Sequence, residues 1–294
     1  MSRKIIVILG PTASGKSALA VKIAKKINGE IISADSRQVY KGLNIGTGKI
    51  TKKEMSGIPH HCLDIVSPKK IFTVSDFKKR AEEALEKIFS KNKTPIIVGG
   101  TGLYIQAVVD GILLPEVRPN WKLRKELEKK TTEEMFAILK KLDPERAKTI
   151  DAKNPHRLIR AIEIAKTLGK VPNLGVELPS WETLQIWIKL DYEKLRKKIN
   201  DRLASDLKKG MVIEAEKLRQ YGLPWKRMDG LGLEYRYLAK FLKGEISKKE
   251  MIEKLKIEIW NYAKRQITWF KRDKRIKWVK NYKESEKLII KFLK

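Results

Sequence analysis

The chain has 294 residues, of which 65 are Lys or Arg and 35 are Asp or Glu, so its formal net charge at pH 7 is +30. The 42% content of hydrophobic residues excludes a disordered chain, and the excess of positive charge favours a polyanionic partner, above all nucleic acid. The single cysteine, Cys62, excludes an internal disulfide, and no apolar run reaches the length of a membrane span. We therefore expect a cytoplasmic protein with no membrane partner.

The first third of the chain alternates predicted strands and helices. The uninterrupted aliphatic run 5–9 predicts a strand buried on both faces, and 17–27 follows with apolar residues at helical spacing. A second strand is predicted at 30–35, a helix at 75–89 and a third strand at 94–102. This alternation predicts an α/β fold with a parallel sheet flanked by helices.

The character of the sequence changes after 113–120, where charged amphipathic helices begin, and a strand pattern returns at 183–190. We interpret 1–115 as the first part of a phosphate-binding core, 116–180 as a helical insertion domain, and 181–294 as the continuation of the core with basic C-terminal helices. The last third predicts helices over 192–207, 212–221 and 248–270.

A phosphate-binding loop follows the first predicted strand. Its residues fit the pattern G-x-x-x-x-G-K-[ST] between a strand and a helix, and they are Gly10, Pro11, Thr12, Ala13, Ser14, Gly15, Lys16 and Ser17. Backbone N–H groups and the start of the helix favour anionic oxygens, and Lys16 adds a full charge. The Ser17 hydroxyl is a candidate Mg²⁺ ligand, which makes Mg²⁺ the expected cofactor. The loop predicts binding of a diphosphate or triphosphate group.

The acid that usually accompanies such a loop in nucleotide hydrolases is missing. It would end a second hydrophobic strand and hold Mg²⁺ there, but the strand at 95–100 runs into Gly-Gly-Thr. Asp35 is the one acid well placed at a strand end. It could act as a general base, lie in the outer shell of a metal, or cap the turn after its strand.

Several segments in this order resemble the bacterial tRNA dimethylallyltransferase (tRNA isopentenyltransferase) family. They cover residues from about 4 to about 280, and they are GPTASGKS, ISADSRQVYKGLNIGTGK, IPHHCLDI, VSDF, IIVGGTGLYIQAVVDG, NPHRLIRAIEI and AKRQITWF. The resemblance implies that a dimethylallyl group passes from dimethylallyl diphosphate to N6 of adenosine 37, beside the anticodon. The loop would then hold a leaving diphosphate, and the positive charge would hold the RNA.

The resemblance also implies roles for single residues. It makes Asp35 the general base, and it places Thr101 and Arg202 at the diphosphate as further catalytic residues. The sequence departs from the family at Lys198, where an Arg is common one turn before Arg202. Because Lys lacks the bidentate fork of Arg, the role of this position is not transferred.

The partners implied are the anticodon stem-loop of tRNA and dimethylallyl diphosphate, bound by a monomer. The implied RNA-contacting residues are Asp35, Ser36, Arg37, Gln38, Thr101, Arg157, Arg160, Arg236, Lys264, Arg265 and Gln266. The segment 261–280 is strongly basic, and on a helix its residues Lys264, Thr268, Lys271 and Arg272 would share one face. The family commonly has Gln at His156, Gly at Glu234 and Arg at Trp260.

Alternative functions fit parts of this pattern. A small-molecule kinase or a nucleotide-gated RNA-binding protein would also use the loop, and an adenylate isopentenyltransferase would use free AMP, ADP or ATP as the acceptor. The cationic tail and the helical insertion favour tRNA. The sequence His60-His61-Cys62 lacks a second ligand pair at suitable spacing, so we interpret it as a structural turn and not as a zinc site.

Overall fold

The computed structural model describes residues 3–173 and 175–294. Within them, six strands form one sheet in which every neighbouring pair is parallel, with the order β3-β2-β4-β1-β5-β6. The strands are β1 (Arg3–Leu9), β2 (Gly29–Ala34), β3 (His60–His61), β4 (Thr94–Gly99), β5 (Trp181–Ile188) and β6 (Lys277–Val279). The predicted parallel sheet is confirmed.

The sheet is built around β1, which pairs with β4 on one side and β5 on the other. The five residues from Ile5 to Leu9 are fully buried, and they alternate between the two hydrophobic clusters on opposite faces of the sheet. A strand covered by helices on both faces needs an aliphatic side chain at every position, which explains the uninterrupted run in the sequence. The phosphate loop therefore starts from the buried end of a central strand.

Helices of the main unit pack on both faces of this sheet, and the helices in the middle of the chain form a cluster of their own. In chain order they are α1 (Lys16–Lys26), α2 (Lys52–Met55), α3 (Val74–Phe89), α4 (Gly102–Val109), α5 (Trp121–Leu127), α6 (Thr132–Leu142), α7 (Pro144–Thr149), α8 (Pro155–Leu168), α9 (Tyr192–Lys208), α10 (Met211–Gln220), α11 (Trp225–Asp229), α12 (Leu233–Leu242), α13 (Lys248–Phe270) and α14 (Tyr282–Leu293). No helix among these described residues has the length and apolar character of a membrane span.

The chain divides into two compact units. The main unit comprises Met1–Gly111 and Leu178–Lys294, and the second is Ile112–Glu177. The second unit contains α5 to α8 around its own core, in which Leu139, Leu158 and Ile162 are fully buried. Its buried carboxylate, Glu163, accepts bonds from the Arg124 and Arg160 guanidinium groups at 2.5–2.9 Å. These ion pairs hold the pKa of Glu163 down to about 2, against a cost of burial that raises it.

The helical face expected within the basic segment 261–280 is wrong in part. The helix that carries Lys264 and Thr268 ends at Phe270, and 277–279 form β6 at the edge of the sheet. Lys271 is the cap residue after α13, and Arg272 lies in the turn that follows, so the expected helical face stops at Thr268. The buried Phe270 and Ile276 flank this turn and anchor it in the main core, which ends the helix.

Candidate active site

The phosphate loop lies between the end of β1 and the start of α1, as the sequence predicts. Gly15 is the N-cap residue of α1 at φ 85°, a left-handed conformation that favours glycine. A Cβ added at Gly10 would lie 2.5 Å from Ser14 Oγ, so the loop also needs glycine at its beginning. The close turn leaves the loop N–H groups and the first turn of α1 at the carboxyl edge of the sheet, where parallel α/β folds bind their ligands.

Lys16 is half-buried above this loop, where its Nζ donates to the Pro11 carbonyl at 3.2 Å. Burial, opposed by the Asp35 charge and assisted by the Arg202 charge, lowers the pKa of Lys16 to about 8. The ammonium group is poorly solvated at this position. An anionic ligand would therefore stabilise its charged form.

Asp35 follows β2 and lines the same cavity as Lys16, Ser17 and Gln38. Its Oδ1 accepts the N–H groups of Arg37 at 2.8 Å and of Gln38 at 3.3 Å. The turn-capping role left open by the sequence is therefore real. The carboxylate also lines the cavity beside the phosphate loop, so the cap is compatible with either of the other two roles, general base or outer shell of a metal.

Thr101 connects β4 to the segment that contains Asp35. It is the N-cap residue of α4, and its Oγ1 accepts the Ser36 N–H at 3.2 Å. A Cβ on Gly99 would overlap the Ala34 carbonyl, so glycine is required for the close approach of β4 to β2 at this point. The glycine-rich end of β4 thus brings Thr101 next to the carboxyl end of β2.

Arg202 reaches the phosphate loop from the middle of α9. Its Nη1 donates to Thr12 Oγ1 at 3.1 Å, and its Nε pairs with Asp206 one turn later at 3.3 Å. These groups line a small cavity together with Ala13 and Glu234. Burial raises the pKa of both Asp206 and Glu234, which Arg202 opposes. Lys198, one turn before Arg202, is exposed.

Sequence reasoning missed the two acidic neighbours of Arg202. The i, i+4 spacing of Arg202 and Asp206 on one helix is a signal that could have revealed the pair. Glu234 is far away in the chain, and a single acid at the start of a helix carries no such signal. Its position beside the loop depends on the packing of α12, which only the structure shows.

The predicted RNA-contacting residues of the main unit differ in exposure. Lys264, Arg265 and Arg236 are exposed. Arg37 is half-buried and its Nη1 donates to the Gly230 carbonyl at 3.2 Å. Gln38 is half-buried as well, with Nε2 donating to the Thr47 and Gly48 carbonyls at 3.3 and 3.4 Å. Asp35, Ser36 and Thr101 are also half-buried at the edge of the sheet.

Two residues predicted to contact RNA, Gln266 and Arg160, instead form hydrogen bonds within the protein. Gln266 is 6% exposed, and its amide bridges the Thr12 N–H and the Gly100 carbonyl, each at 3.0 Å. It braces the phosphate loop and offers no free group to RNA. In the second unit, Arg157 is exposed, but Arg160 donates to Glu163 and to the Val117 carbonyl, so its guanidinium stabilises that unit.

The histidine pair is bound into the structure. His61 Nε2 lies 2.8 Å from the buried Glu30 carboxylate, and His60 Nδ1 lies 2.8 Å from the Ile58 carbonyl. Cys62 follows at φ 62° and is buried, and burial raises the pKa of its thiol. The contacts of the two histidines and the burial of Cys62 stabilise the edge strand β3 and the turn after it.

Comparison with known proteins decides the family. The sequence model described as IPP transferase matches residues 38–273, which is well over half of the chain. The chain belongs to the IPP transferase family. The resemblance read from the sequence motifs is thereby confirmed, and so is the prediction that the chain is an enzyme.

Curated relatives of this IPP transferase match it over nearly its whole length. It is 42% identical over 309 residues to the tRNA dimethylallyltransferase of Thermoanaerobacter sp. (strain X514), with 100% of this chain and 98% of that protein covered. It is 43% identical over 271 residues to tRNA dimethylallyltransferase 1 of Geotalea daltonii, with 92% and 87% covered. These relatives do not favour the kinase alternative.

Solved structures agree with the fold of this IPP transferase. The full-length tRNA isopentenylpyrophosphate transferase from Bacillus halodurans is 34% identical and superposes with a TM-score of 0.74, covering 100% of this chain and 96% of that one. A eukaryotic dimethylallyltransferase, described as acting on tRNA, is 30% identical with a TM-score of 0.76, covering 92% of this chain and 70% of that one. The predicted α/β fold class is confirmed.

Proposed function

We propose that this enzyme transfers a dimethylallyl group from dimethylallyl diphosphate to N6 of adenosine 37 in the anticodon loop of tRNA. The observation that supports this most is the convergence of Lys16, Arg202 and Asp35 on one phosphate loop, while the end of β4 carries Gly-Gly-Thr and no acid. Two cations can bind a diphosphate there, and one carboxylate can accept a proton. This set of groups suits the departure of a diphosphate after attack by an amine.

In the proposed reaction, the N6 nitrogen attacks the allylic C1 of the donor. The C1–N6 bond forms, the bond from C1 to the diphosphate oxygen breaks, and the electron pair of that bond leaves with the diphosphate. Lys16, Arg202 and the loop N–H groups stabilise the charge that develops on the leaving oxygen. Asp35 accepts the proton lost by the amino group, and Thr101 positions the segment that carries Asp35.

Mg²⁺ is part of the proposal, and the residues present fit it. Ser17 Oγ and the Asp35 carboxylate are hard oxygen donors on the cavity beside the loop. Among residues 3–173 and 175–294, no cluster of three or more His, Cys, Asp or Glu side chains could enclose a metal. Ser17 would hold the ion with help from phosphate oxygens and water, which suits the coordination habits of Mg²⁺. When bound, the ion supplies charge neutralisation for the diphosphate.

We propose an RNA acceptor because the protein's net charge of +30 far exceeds the positive charge that is needed to bind a small diphosphate donor. The exposed cations Arg157, Arg236, Lys264 and Arg265 are candidates for contact with the phosphate backbone. Ser36, Arg37 and Gln38, beside Asp35, are candidates for contact with the target nucleotide. Bases in an anticodon loop can be displaced from their stack at low cost, which lets the adenine amino group reach Asp35. We expect the enzyme to act as a monomer in the cytoplasm.

A direct assay tests the proposal against its alternatives. The enzyme is incubated with Mg²⁺, labelled dimethylallyl diphosphate and unmodified tRNA, and the RNA is then digested to nucleosides. We expect the label in prenylated adenosine, and digestion of a second sample to oligonucleotides should place that adenosine next to the anticodon. Label on free AMP, ADP or ATP alone would favour the adenylate acceptor, and an unlabelled RNA with a phosphorylated metabolite would favour a kinase.

A further inference from the structure

Three successive backbone N–H groups converge on one carboxylate beside the active site. The N–H groups of Asn44 and Ile45 each donate to Glu214 Oε2 at 2.8 Å, and that of Gly46 donates to Oε1 at 3.0 Å. The Tyr235 hydroxyl donates to the same Oε1 at 2.6 Å. Consecutive N–H groups that face one point form a concavity for anions. Here the anion is a side chain of α10, fixed by four hydrogen bonds.

The segment 44–49, held in this way, has little freedom. Gly48 N–H donates to the Ile45 carbonyl at 2.9 Å, which closes a tight turn. A Cβ on Gly46 would lie 2.9 Å from the Tyr235 hydroxyl oxygen, and Tyr235 itself is only 1% exposed. The phenol ring and the Glu214 carboxylate thus clamp the segment from one side.

The other side of segment 44–49 contacts two residues of the proposed active site. Gly48, at φ 55°, lies so close to Arg202 that an added Cβ would overlap the guanidinium group. The carbonyls of Thr47 and Gly48 accept the Gln38 amide at 3.3 and 3.4 Å. The path from Glu214 to the phosphate loop is therefore short: the segment packs against Arg202, and Arg202 donates to Thr12.

We propose that Glu214 is a positioning residue for the diphosphate site, because it fixes segment 44–49 as the wall against which the Arg202 guanidinium is oriented. This inference rests on the proposed function for its role in catalysis. A carboxylate is needed because it offers only acceptors to the four donors. A glutamine would turn an NH₂ group toward backbone N–H groups and leave part-buried donors unpaired.

The test is a double-mutant cycle between Glu214→Gln and Arg202→Ala. For Glu214→Gln alone, we expect kcat/KM for dimethylallyl diphosphate and the affinity for inorganic diphosphate to fall about 10- to 100-fold. In the Arg202→Ala background the same substitution should cost less than about twofold, because the group it positions is already gone. An equal loss in both backgrounds, or no loss in either, would overturn the inference.

A second variant tests the positioning role of Glu214 if Glu214→Gln does not fold, as judged by circular dichroism and thermal unfolding. Tyr235→Phe removes one donor to Glu214 and keeps the ring against Gly46. For Tyr235→Phe we expect kcat/KM for dimethylallyl diphosphate and the affinity for inorganic diphosphate to fall about 3- to 10-fold, and this loss should disappear in the Arg202→Ala background. A loss that persists in that background contradicts the inference. The matched control is Glu216→Gln, an exposed position on the same helix, which should leave both readouts unchanged.

The two readouts separate failure of this inference from failure of the proposed function. Calorimetry with inorganic diphosphate needs neither tRNA nor prenyl transfer. If the wild-type enzyme prenylates no RNA yet shows the Glu214–Arg202 coupling in diphosphate affinity, the proposed function fails and the positioning role stands. If the wild type is active and the coupling is absent, only the positioning role fails.

Discussion

At the scale of single residues, Asp35 has a structural role and, in the proposed reaction, a chemical one. Its Oδ1 holds the turn of Arg37 and Gln38, and the carboxylate faces the cavity that contains Lys16. Removing the side chain would disturb both duties at once. An amide separates them, because Asn keeps an acceptor oxygen for the two N–H groups and lacks a basic carboxylate.

We therefore predict that Asp35→Asn keeps the fold and tRNA affinity but lowers kcat by about 100-fold or more, the size of a lost general base. Single-turnover rates and tRNA binding measured on the same preparation test this. Asp35→Ala is the comparison variant, and it should lose turnover and also some thermal stability. Near-normal turnover in Asp35→Asn would exclude the carboxylate as the base.

The lowered pKa of Lys16 leads to a pH dependence with a definite sign. The charged form binds the anionic donor, and the free enzyme loses that charge as the pH rises through about 8. Bound diphosphate raises the pKa of Lys16, so donor affinity should be constant below pH 8 and should fall about tenfold per pH unit above it. Calorimetry from pH 6.5 to 9.5 measures this.

Lys16→Ala is the control for the pH experiment. It should bind the donor weakly at every pH, with a flat profile between pH 7 and 9 and with little change in tRNA affinity. If the wild-type profile is equally flat, the charge of Lys16 does not contribute to donor binding.

At the scale of elements, α13 carries two different duties on two faces. Its buried face presents Gln266 to the phosphate loop, and its solvent face presents Lys264 and Arg265. Sequence reasoning assigned all three residues to RNA because they are neighbours in one motif. Successive side chains leave a helix about 100° apart, so Gln266 faces the phosphate loop while Lys264 and Arg265 face solvent.

This separation predicts opposite phenotypes for neighbouring positions. Gln266→Ala should raise KM for the donor several-fold, because the loop loses one brace at Thr12 and one at Gly100, and it should leave tRNA affinity unchanged. The double variant Lys264→Ala with Arg265→Ala should weaken tRNA binding and leave the donor KM unchanged. Steady-state kinetics with each substrate varied in turn would detect a reversal of this pattern.

The elements with strong periodic or apolar signals were predictable. The sequence pattern places a helix over 248–270, and α13 has the same bounds. β3 has two residues and β6 has three, too few for a pattern of alternation, and both depend on pairing with longer strands. Lys271 and Arg272, after Phe270, were placed on the helical face because a run of charged residues does not mark where a helix ends.

The candidate site was predictable where one motif carries the chemistry. The loop with Lys16 and Ser17, and Asp35 at a strand end, follow from local pattern. Arg202 came from the resemblance to a family, since a single Arg in a charged helix has no distinguishing pattern. Glu214 carried no local signal, and Glu234 stood out only as a departure from the family's Gly, because the neighbours of both are remote in the chain.

At the scale of the whole molecule, the net charge of +30 far exceeds the two cations beside the phosphate loop. Charge on this scale is typical of proteins that neutralise a phosphate backbone. Lys and Arg residues are spread through the main unit and the second unit, so both carry cations that an RNA could contact. In contrast, only a few groups at fixed positions, namely Lys16, Arg202 and the loop N–H groups, would bind the donor.

The two substrates should therefore respond differently to salt. We predict that tRNA affinity falls at least about tenfold between 50 and 200 mM KCl, because bound counterions are released from several phosphates. The affinity for dimethylallyl diphosphate should change much less, because a few fixed groups hold it. Filter binding for tRNA and calorimetry for the donor measure the two slopes; a tRNA affinity independent of salt would exclude the backbone contacts.

In the proposed reaction, the amides around Lys16 hold the diphosphate that leaves. The most direct measurement follows, in one reaction with tRNA and dimethylallyl diphosphate, the release of inorganic diphosphate and the appearance of prenylated adenosine. We predict equal amounts of both products, and loss of both in Lys16→Ala. Diphosphate release without prenylated RNA, or phosphate transferred from ATP to a metabolite while the RNA stays unmodified, would contradict the account.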